Sequence, residues 1–356
     1  MCILVLFDRF GRPLTNIRLM VTGACNMRCF FCHMEGYRQA NTHIRLDFVN
    51  VLVEASRRLG VLSFKLTGGE PLLHPQICEV IKAIRDKGLK VSITTNGFYL
   101  VNYVNQLADL GVDHINVSLH SLRRETYKYI TGVDALNRVL EGIKEASNHG
   151  LKVKINFVVL KGVNDMELEK VMDFARKYAA RLQVIELHPV GKGKGVFSKF
   201  HLPESEIIKR LVSRCREVRI RKDLHNRPII VMNDGFEVEV VGPVGNWAFC
   251  AACTRIRVSY DGVMLPCLNW RGRPVDASLC LKEKNFNDKV SCMISKIVLV
   301  NSLRRPTYML NVKSLDRPLP WRRHVVRLGI PKANGTMSFI GGFNEDKYLK
   351  LFRQTL

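Results

Sequence analysis

Three cysteines within eight residues, Cys25-Asn-Met-Arg-Cys29-Phe-Phe-Cys32, constrain this chain more than any other feature. With C-x3-C-x2-C spacing the three thiols cannot all be paired as disulfides. They can grip three corners of a four-iron cluster, because soft thiolate ligands suit iron–sulfur chemistry. Three protein ligands leave the fourth iron an open coordination position, which in metal sites usually means catalysis. The competing reading is a structural zinc site completed by a residue such as His33, but zinc motifs usually come as C-x2-C pairs.

Around this loop the pattern alternates between strand and amphipathic helix. Strands are expected over residues 17–22, 63–67, 90–95, 114–119, 152–160 and 182–187. Helices are expected over 47–59, 76–87, 102–110, 136–149, 165–178 and 204–215, with Val49, Leu52, Val53 and Leu59 at helical spacing in the first. Gly88, Gly111 and Gly150 each follow a helix where a left-handed cap is wanted. Six strands each followed by helical sequence predict an α/β fold with a parallel sheet. The chemistry-bearing residues favour a barrel over an open sheet. The cysteine loop, Thr67-Gly-Gly-Glu-Pro71, Thr94-Thr-Asn-Gly97, Ser118, Glu186 and His188 all fall at strand C-terminal ends, which in a barrel share one mouth. An α/β barrel is therefore expected, followed by a smaller C-terminal domain. A boundary near 225–235 divides the chain into 1–228 and 229–356. Gly191-Lys-Gly-Lys-Gly195 reads either as a solvated loop or as a basic loop able to fold over an anion.

The second half carries another triad, Cys250-Ala-Ala-Cys253 and Cys267, spaced C-x2-C-x13-C. Asp261-Gly262 is a hairpin turn between the last two cysteines and can bring all three sulfurs together. A zinc ribbon completed by Cys280 or Cys215 is the alternative. Arg255 and Arg257 alternate with Thr254, Ile256 and Val258, so on a strand both arginines share one face.

The first triad, with an aromatic before its last cysteine, resembles radical S-adenosylmethionine (SAM) enzymes. The two triads together resemble the GTP 3′,8-cyclase family of molybdenum cofactor biosynthesis. The likeness runs along nearly the whole chain and includes Phe10-Gly-Arg-Pro13, Arg18, Lys161-Gly-Val-Asn-Asp165, Thr254-Arg-Ile-Arg257 and Met337-Ser-Phe-Ile-Gly-Gly342. It implies a partial, six-unit TIM-like barrel whose mouth a smaller C-terminal cluster-binding domain closes, and two [4Fe–4S] clusters, one on Cys25, Cys29 and Cys32, the other on Cys250, Cys253 and Cys267. It also implies SAM as cofactor and GTP as substrate. A 5′-deoxyadenosyl radical would take hydrogen from C3′ of the ribose, and C3′ would then join C8 of guanine. Residue by residue, Phe31, Gly68, Gly69, Glu70, Ser118 and His188 would bind SAM. Arg18, Lys65, Thr94, Lys154, Arg255, Ile256 and Arg257 would bind GTP, with Arg255 and Arg257 catalytic. Guanidinium forks suit a triphosphate because they bind its oxygens bidentately.

This chain departs from the family pattern at several positions. Gly23-Ala24 stands where Asp-Arg is usual, Lys65 and Gln183 where arginines are, His120 for an aspartate and His188 for a methionine. After Gly341-Gly342, where the family normally ends, 14 residues follow. The resemblance further implies a homodimer whose product passes to cyclic pyranopterin monophosphate synthase.

A net charge of +23 favours polyanions, yet no basic–aromatic patch or nucleic-acid motif accompanies it, so nucleic acid is not the expected partner. Eleven cysteines, an odd count with two triads at metal-ligand spacing, and no secretion signal point to a reducing cytoplasm. The apolar start over residues 2–7 is far short of a membrane span and reads as an edge strand. Two rival readings are a radical SAM enzyme acting on a peptide and a nucleic-acid-binding protein with structural zinc.

Overall fold

A computed structural model describes residues 5–37 and 40–306, with the backbone of 326–331 and 337–343. After the short strand β1 (Val5–Leu6) the chain enters β2 (Asn16–Thr22), and strict alternation follows. Helix α1 (Leu46–Arg58) leads to β3 (Ser63–Gly68), α2 (Ile77–Arg85) to β4 (Lys90–Thr95) and α3 (Val104–Asp109) to β5 (His114–Ser118). Two helices, α4 (Arg124–Thr131) and α5 (Leu136–Asn148), precede β6 (Val153–Val159), and α6 (Leu168–Tyr178) precedes β7 (Arg181–Glu186). Strands β2 to β7 pair in parallel in sequence order. The alternation expected from sequence is therefore present, and Gly88, Gly111 and Gly150 all have positive φ at helix ends. Helix α4 and a later one, α7 (Gly193–Phe200), lie where no helix was expected. Their short segments carry too little apolar repeat to stand out.

The strands keep one residue in two apolar and buried. Ile17, Leu19, Phe64, Leu66, Val91, Ile93, Ile115, Val117, Ile155 and Val184 are all 0% exposed in the main core. The alternate positions, Arg18, Lys65, Ser92, Thr94, His114, Asn116, Lys154, Asn156 and Gln183, face the opposite side and line one chamber. Period-two alternation thus builds a half-barrel that is apolar on its helix-covered outside and polar within.

The downstream chain extends this sheet at both edges. Helix α8 (Glu204–Val212) leads to β8 (Cys215–Arg221), β9 (Arg227–Met232) and β10 (Glu237–Val241). Of these, β10 pairs in parallel with β7. After α9 (Trp247–Ala251), β11 (Arg255–Val258) pairs in parallel with β2, and β12 (Val263–Leu265) and β13 (Val275–Asp276) follow antiparallel. The result is a 12-stranded open sheet, not two sheets joined by a linker. The expected boundary at 228/229 falls inside β9, which is hydrogen-bonded to β8 and β10. The unpaired edges of β2 and β7 needed covering, and the downstream strands cover them.

The gap between the two flanks is bridged by the segment carrying the second triad. His225 N–H donates to Ala252 O at 3.0 Å, and the His225 and Phe249 rings stack at 4.1 Å. Asn269 meets His188, just past β7, at 3.0 Å. Helix α10 (Phe286–Ser302) packs against α1, and Cys280 is bridged to Cys292, which removes Cys280 from the metal-ligand candidates. Strand β1 pairs with β14 (Val326–Pro331), itself paired with β15 (Met337–Phe343), so Gly341-Gly342 lies in a strand. Residues 344–356, most of the tail after that pair, lie outside the described residues.

Candidate active site: two cysteine triads on one chamber

A cavity of about 2940 Å³ is lined by all six triad cysteines. The triads reach it from opposite ends of β2. Cys25 follows the end of the strand, whereas Cys250 and Cys253 sit by its start. There Thr254 O accepts from Thr15 N–H and Asn16 N–H at 3.0 and 3.1 Å, and Arg12 Nη1 donates to Cys250 O at 2.8 Å. A strand of 7 residues spans roughly 23 Å. Arg18 and Arg257, directly paired across β2 and β11, lie midway.

The first triad is held by backbone packed on backbone. A Cβ on Gly69 would stand 2.0 Å from Ala24 O, and one on Gly68 would stand 2.5 Å from Thr22 O. From the other side, a Cβ on Gly191 would meet Cys32 O at 2.7 Å, and one on Gly193 would meet His188 O at 2.5 Å. The basic glycine run is therefore a close-packed brace for the cysteine loop that continues into α7. Phe31 packs edge-on to His120 at 5.0 Å and to Phe30 at 5.8 Å. Burial pushes the Cys25 thiol up to about 11 and Cys29 to about 12.

The second triad is tied down by charge. Arg12 pairs with Asp8 at 2.7 Å, and Arg304, 2% exposed, reaches Asp8 at 3.3 Å while donating to Cys253 O. Burial would raise the Cys253 thiol, but Arg304, Arg255 and Arg12 bring it below its ordinary value. Asp8 and Arg304 had no role in the sequence reading. Arg12 carried only the family likeness.

Between the triads runs a cationic wall. Lys65 is held well below the ordinary lysine value by burial and by Arg18, Arg255, Arg227 and Lys154. Burial, with Arg221 and Arg181, lowers Lys154 to about 8. Neither amine has an ion-pair or hydrogen-bond partner among the described residues. Thr94 Oγ1, Asn116 Oδ1, Asn156 Oδ1, Arg227 Nε and Arg255 Nε are likewise buried without a partner. Buried polar atoms are normally satisfied, so this cluster marks a site for a polar, anionic ligand. Arg227 and the two asparagines escaped the sequence reading; strand periodicity alone could have placed the asparagines inside.

Most of the expected residues converge on this chamber: Phe31, Gly68, Gly69, Ser118, His188, Arg18, Lys65, Thr94, Lys154, Arg255 and Arg257. Two do not line it. The Glu70 carboxylate is fully buried and accepts from Thr95 Oγ1 at 2.6 Å, Asn96 N–H at 2.6 Å and Leu72 N–H at 3.0 Å, which ties the loops after β3 and β4 together. Ile256 points to the outer core at 0% exposure, between its inward-facing arginine neighbours.

The donor sets fit iron–sulfur clusters. None of the six cysteines is in a disulfide. Met27, Met34 and Asn269 N–H groups point at Cys25, Cys32 and Cys267 sulfurs at 3.5, 3.4 and 3.4 Å, the kind of hydrogen bond that tunes cluster thiolates. Among the described residues, no three His, Cys, Asp or Glu side chains close to the spacing of a single metal ion.

A parallel half-barrel with a three-cysteine loop after its first core strand, facing a second triad, defines a radical SAM enzyme with an auxiliary cluster. Residues 19–175 match the Radical SAM superfamily, and residues 180–308 match Molybdenum Cofactor Synthesis C. A probable GTP 3′,8-cyclase from Aeropyrum pernix is 37% identical over 334 residues, 91% of this chain and 94% of that protein. Another from Thermococcus kodakarensis is 39% identical over 301 residues, 83% of this chain and 98% of that protein. Among solved structures, Streptococcus suis SuiB bound to S-adenosylmethionine aligns with a TM-score of 0.59 at 18% identity, covering 78% of this chain and 66% of that one. The anSMEcpe structure with bound AdoMet gives 0.55 at 15% identity over 74% of this chain and 77% of that one, a likeness of fold. The chain belongs to the GTP 3′,8-cyclase family. It is an enzyme that uses SAM and iron–sulfur clusters.

Proposed function

We propose that GTP lies between the triads, its triphosphate on Arg18, Lys65, Lys154, Arg255 and Arg257 and its base toward the second triad. The observation that carries this reading is the pair of unpartnered amines, Lys65 and Lys154, and the unpartnered Arg255 Nε on one sheet face, which a triphosphate would neutralise. The enzyme converts GTP to 3′,8-cyclo-7,8-dihydroguanosine 5′-triphosphate in molybdenum cofactor biosynthesis. Cys25, Cys29 and Cys32 would hold the first [4Fe–4S] cluster and Cys250, Cys253 and Cys267 the second. With SAM bound, the first would supply the electron that cleaves it, and the 5′-deoxyadenosyl radical so released would take hydrogen from C3′ of the ribose.

The chain's own residues bind, orient and exclude. Gly68 and Gly69 let the turn after β3 pack on Thr22 and Ala24, which holds the chamber wall beside Phe31, Ser118 and His188, where SAM would lie. Glu70 keeps its place as a SAM-binding candidate only through the loop it braces. Ile256, likewise, sets the strand that aims Arg255 and Arg257. The arginines fix the triphosphate at two edges, and Lys65 and Lys154 add point charges. Bridging of the flanks by α9 and the loop after Cys267 limits solvent entry to reacting centres.

Among the described residues no helix is long and apolar enough to cross a membrane. We place the enzyme in the cytoplasm as a homodimer that delivers its product to cyclic pyranopterin monophosphate synthase, in keeping with the family's pathway. We assign the cations of the chamber to the nucleotide and not to nucleic acid.

Anaerobically reconstituted protein given GTP, SAM and a reductant should form 5′-deoxyadenosine and a cyclised GTP product. Iron-replete protein that makes no 5′-deoxyadenosine under those conditions overturns the reading.

A further inference from the structure

One carboxylate stands inside the cationic chamber where the two triads' territories meet. Glu35 follows Cys32 by three residues and is 3% exposed. Both of its oxygens are saturated. Oε2 accepts from Arg18 Nε at 2.7 Å and from Arg257 Nη1, while Oε1 accepts from Arg18 Nη2 and from Thr67 Oγ1 at 2.9 Å. Burial would push its carboxyl up, but Arg18, His33 and Arg257 hold it well below the usual carboxylate range.

The backbone is bent to make this possible. Met34 and Glu35 are consecutive non-glycine residues in the left-handed region, at φ +48° and +52°. Such a conformation is strained for a residue with a side chain and persists only where its surroundings enforce it. The Glu35 N–H is secured by His33 Nδ1 at 2.9 Å, so the turn aims the carboxylate at β2 and β11.

The need for it is electrostatic. Arg257 lies directly across from Arg18, and Arg18 directly across from Lys65, on three adjacent strands. Adjacent like charges repel, and a chamber wall screens them less than bulk water does. Glu35 relieves two of the three. A doubly bridged guanidinium keeps its remaining N–H groups in a fixed plane, ready for a second anion.

We propose that Glu35 is a positioning residue for the nucleotide, holding the Arg18 and Arg257 forks side by side toward the triphosphate from the same loop that carries Cys32. The proposal deepens the reading above and rests on it. Glu35 touches neither substrate nor cofactor and acts through the two arginines.

The test compares wild type with Glu35→Gln by equilibrium dialysis of GTP and by steady-state kinetics, with iron and sulfide counted in each sample. Glutamine cannot serve four donors, so the Kd and KM for GTP should rise at least about tenfold while kcat changes less than about threefold. A uniform loss of binding has that split, whereas a merely structural defect would lower kcat and iron content with KM unmoved. Combining Glu35→Gln with Arg18→Gln should cost clearly less than the product of the single effects. Should Glu35→Gln not fold, Thr67→Val removes one bond to the carboxylate without touching charge, and Kd should then rise about threefold. Unchanged Kd in both variants, or full multiplicativity with Arg18→Gln, overturns the role. Tighter GTP binding in Glu35→Gln also overturns it, because the carboxylate would then be a competitor for the arginines. A wild type that binds no GTP sinks the nucleotide reading itself, whereas a wild type that binds GTP beside an equally tight Glu35→Gln sinks only this inference.

Discussion

The two cysteine triads share a chamber but are secured by opposite kinds of interaction. Around Cys25, Cys29 and Cys32 the neighbours are glycine backbone and aromatic rings, and burial raises the thiols. Around Cys250 and Cys253 the neighbours are buried guanidiniums anchored on Asp8, and Cys253 is lowered despite its burial. The difference matches what each end must do. The glycines let backbone close on backbone and fix the loop that carries the first triad. The second triad stands among the cations proposed to hold the nucleotide.

The largest effect expected is a division of the reaction between the triads. Cys29→Ala should abolish 5′-deoxyadenosine formation altogether. Cys253→Ala should still cleave SAM while losing the cyclised product, and each variant should lose about half the iron. Product analysis beside iron counts decides it; equal loss of 5′-deoxyadenosine in both would break the comparison.

Next comes the charged anchor. Arg304→Met strips a buried cation from Asp8 and from the Cys253 carbonyl, and should cost about 3–5 kcal/mol of stability with loss of the second cluster first. The glycine brace should respond differently. In Gly69→Ala the new methyl collides with Ala24 O, so the cysteine loop must shift, costing about 1–3 kcal/mol. SAM cleavage should fall while GTP binding stays, which thermal melts and dialysis on the same samples would separate.

The smallest effect concerns acid. Burial would raise the Glu239 carboxyl, but Arg227 and Arg221 outweigh it and bring it to about 2. A carboxyl depressed in the fold lends stability above its unfolded value, near 4.5, and loses it as pH falls toward 2. The thermal midpoint of wild type should therefore drop across that window, and Glu239→Gln should flatten the drop.

Much of the site was legible without coordinates because it is written in local spacing. The triads are metal-ligand patterns, and the strand–helix alternation is a change of period from 2 to 3.6, both visible in a short window. Arg255 and Arg257 could be assigned to one face for the same reason. Helix α7 was hidden because Gly191-Lys-Gly-Lys-Gly195 has loop composition; its glycines answer to the backbone of Cys32 and His188, which are remote or unmarked in sequence. The boundary at 228/229 followed a change of composition, but strand pairing with β7 and β2 ignores composition. Glu70 reads as a ligand from its motif; that its carboxylate also accepts from Thr95 and Asn96, beyond β4, is a tertiary contact that no local pattern announces.

By itself the sequence determined which chemistry the chain can host: two thiolate triads, a parallel α/β core and an inward row of cations on alternating strand positions. Only the tertiary structure decided how these meet. It put the triads at opposite ends of β2, set Glu35 between Arg18 and Arg257, and hung Cys250 and Cys253 from Arg12 and Arg304. The physical reason is range. Periodicity and ligand spacing are fixed by a few consecutive residues, whereas ion pairs join Arg18 to Glu35 and Asp8 to Arg304, and nothing local encodes them.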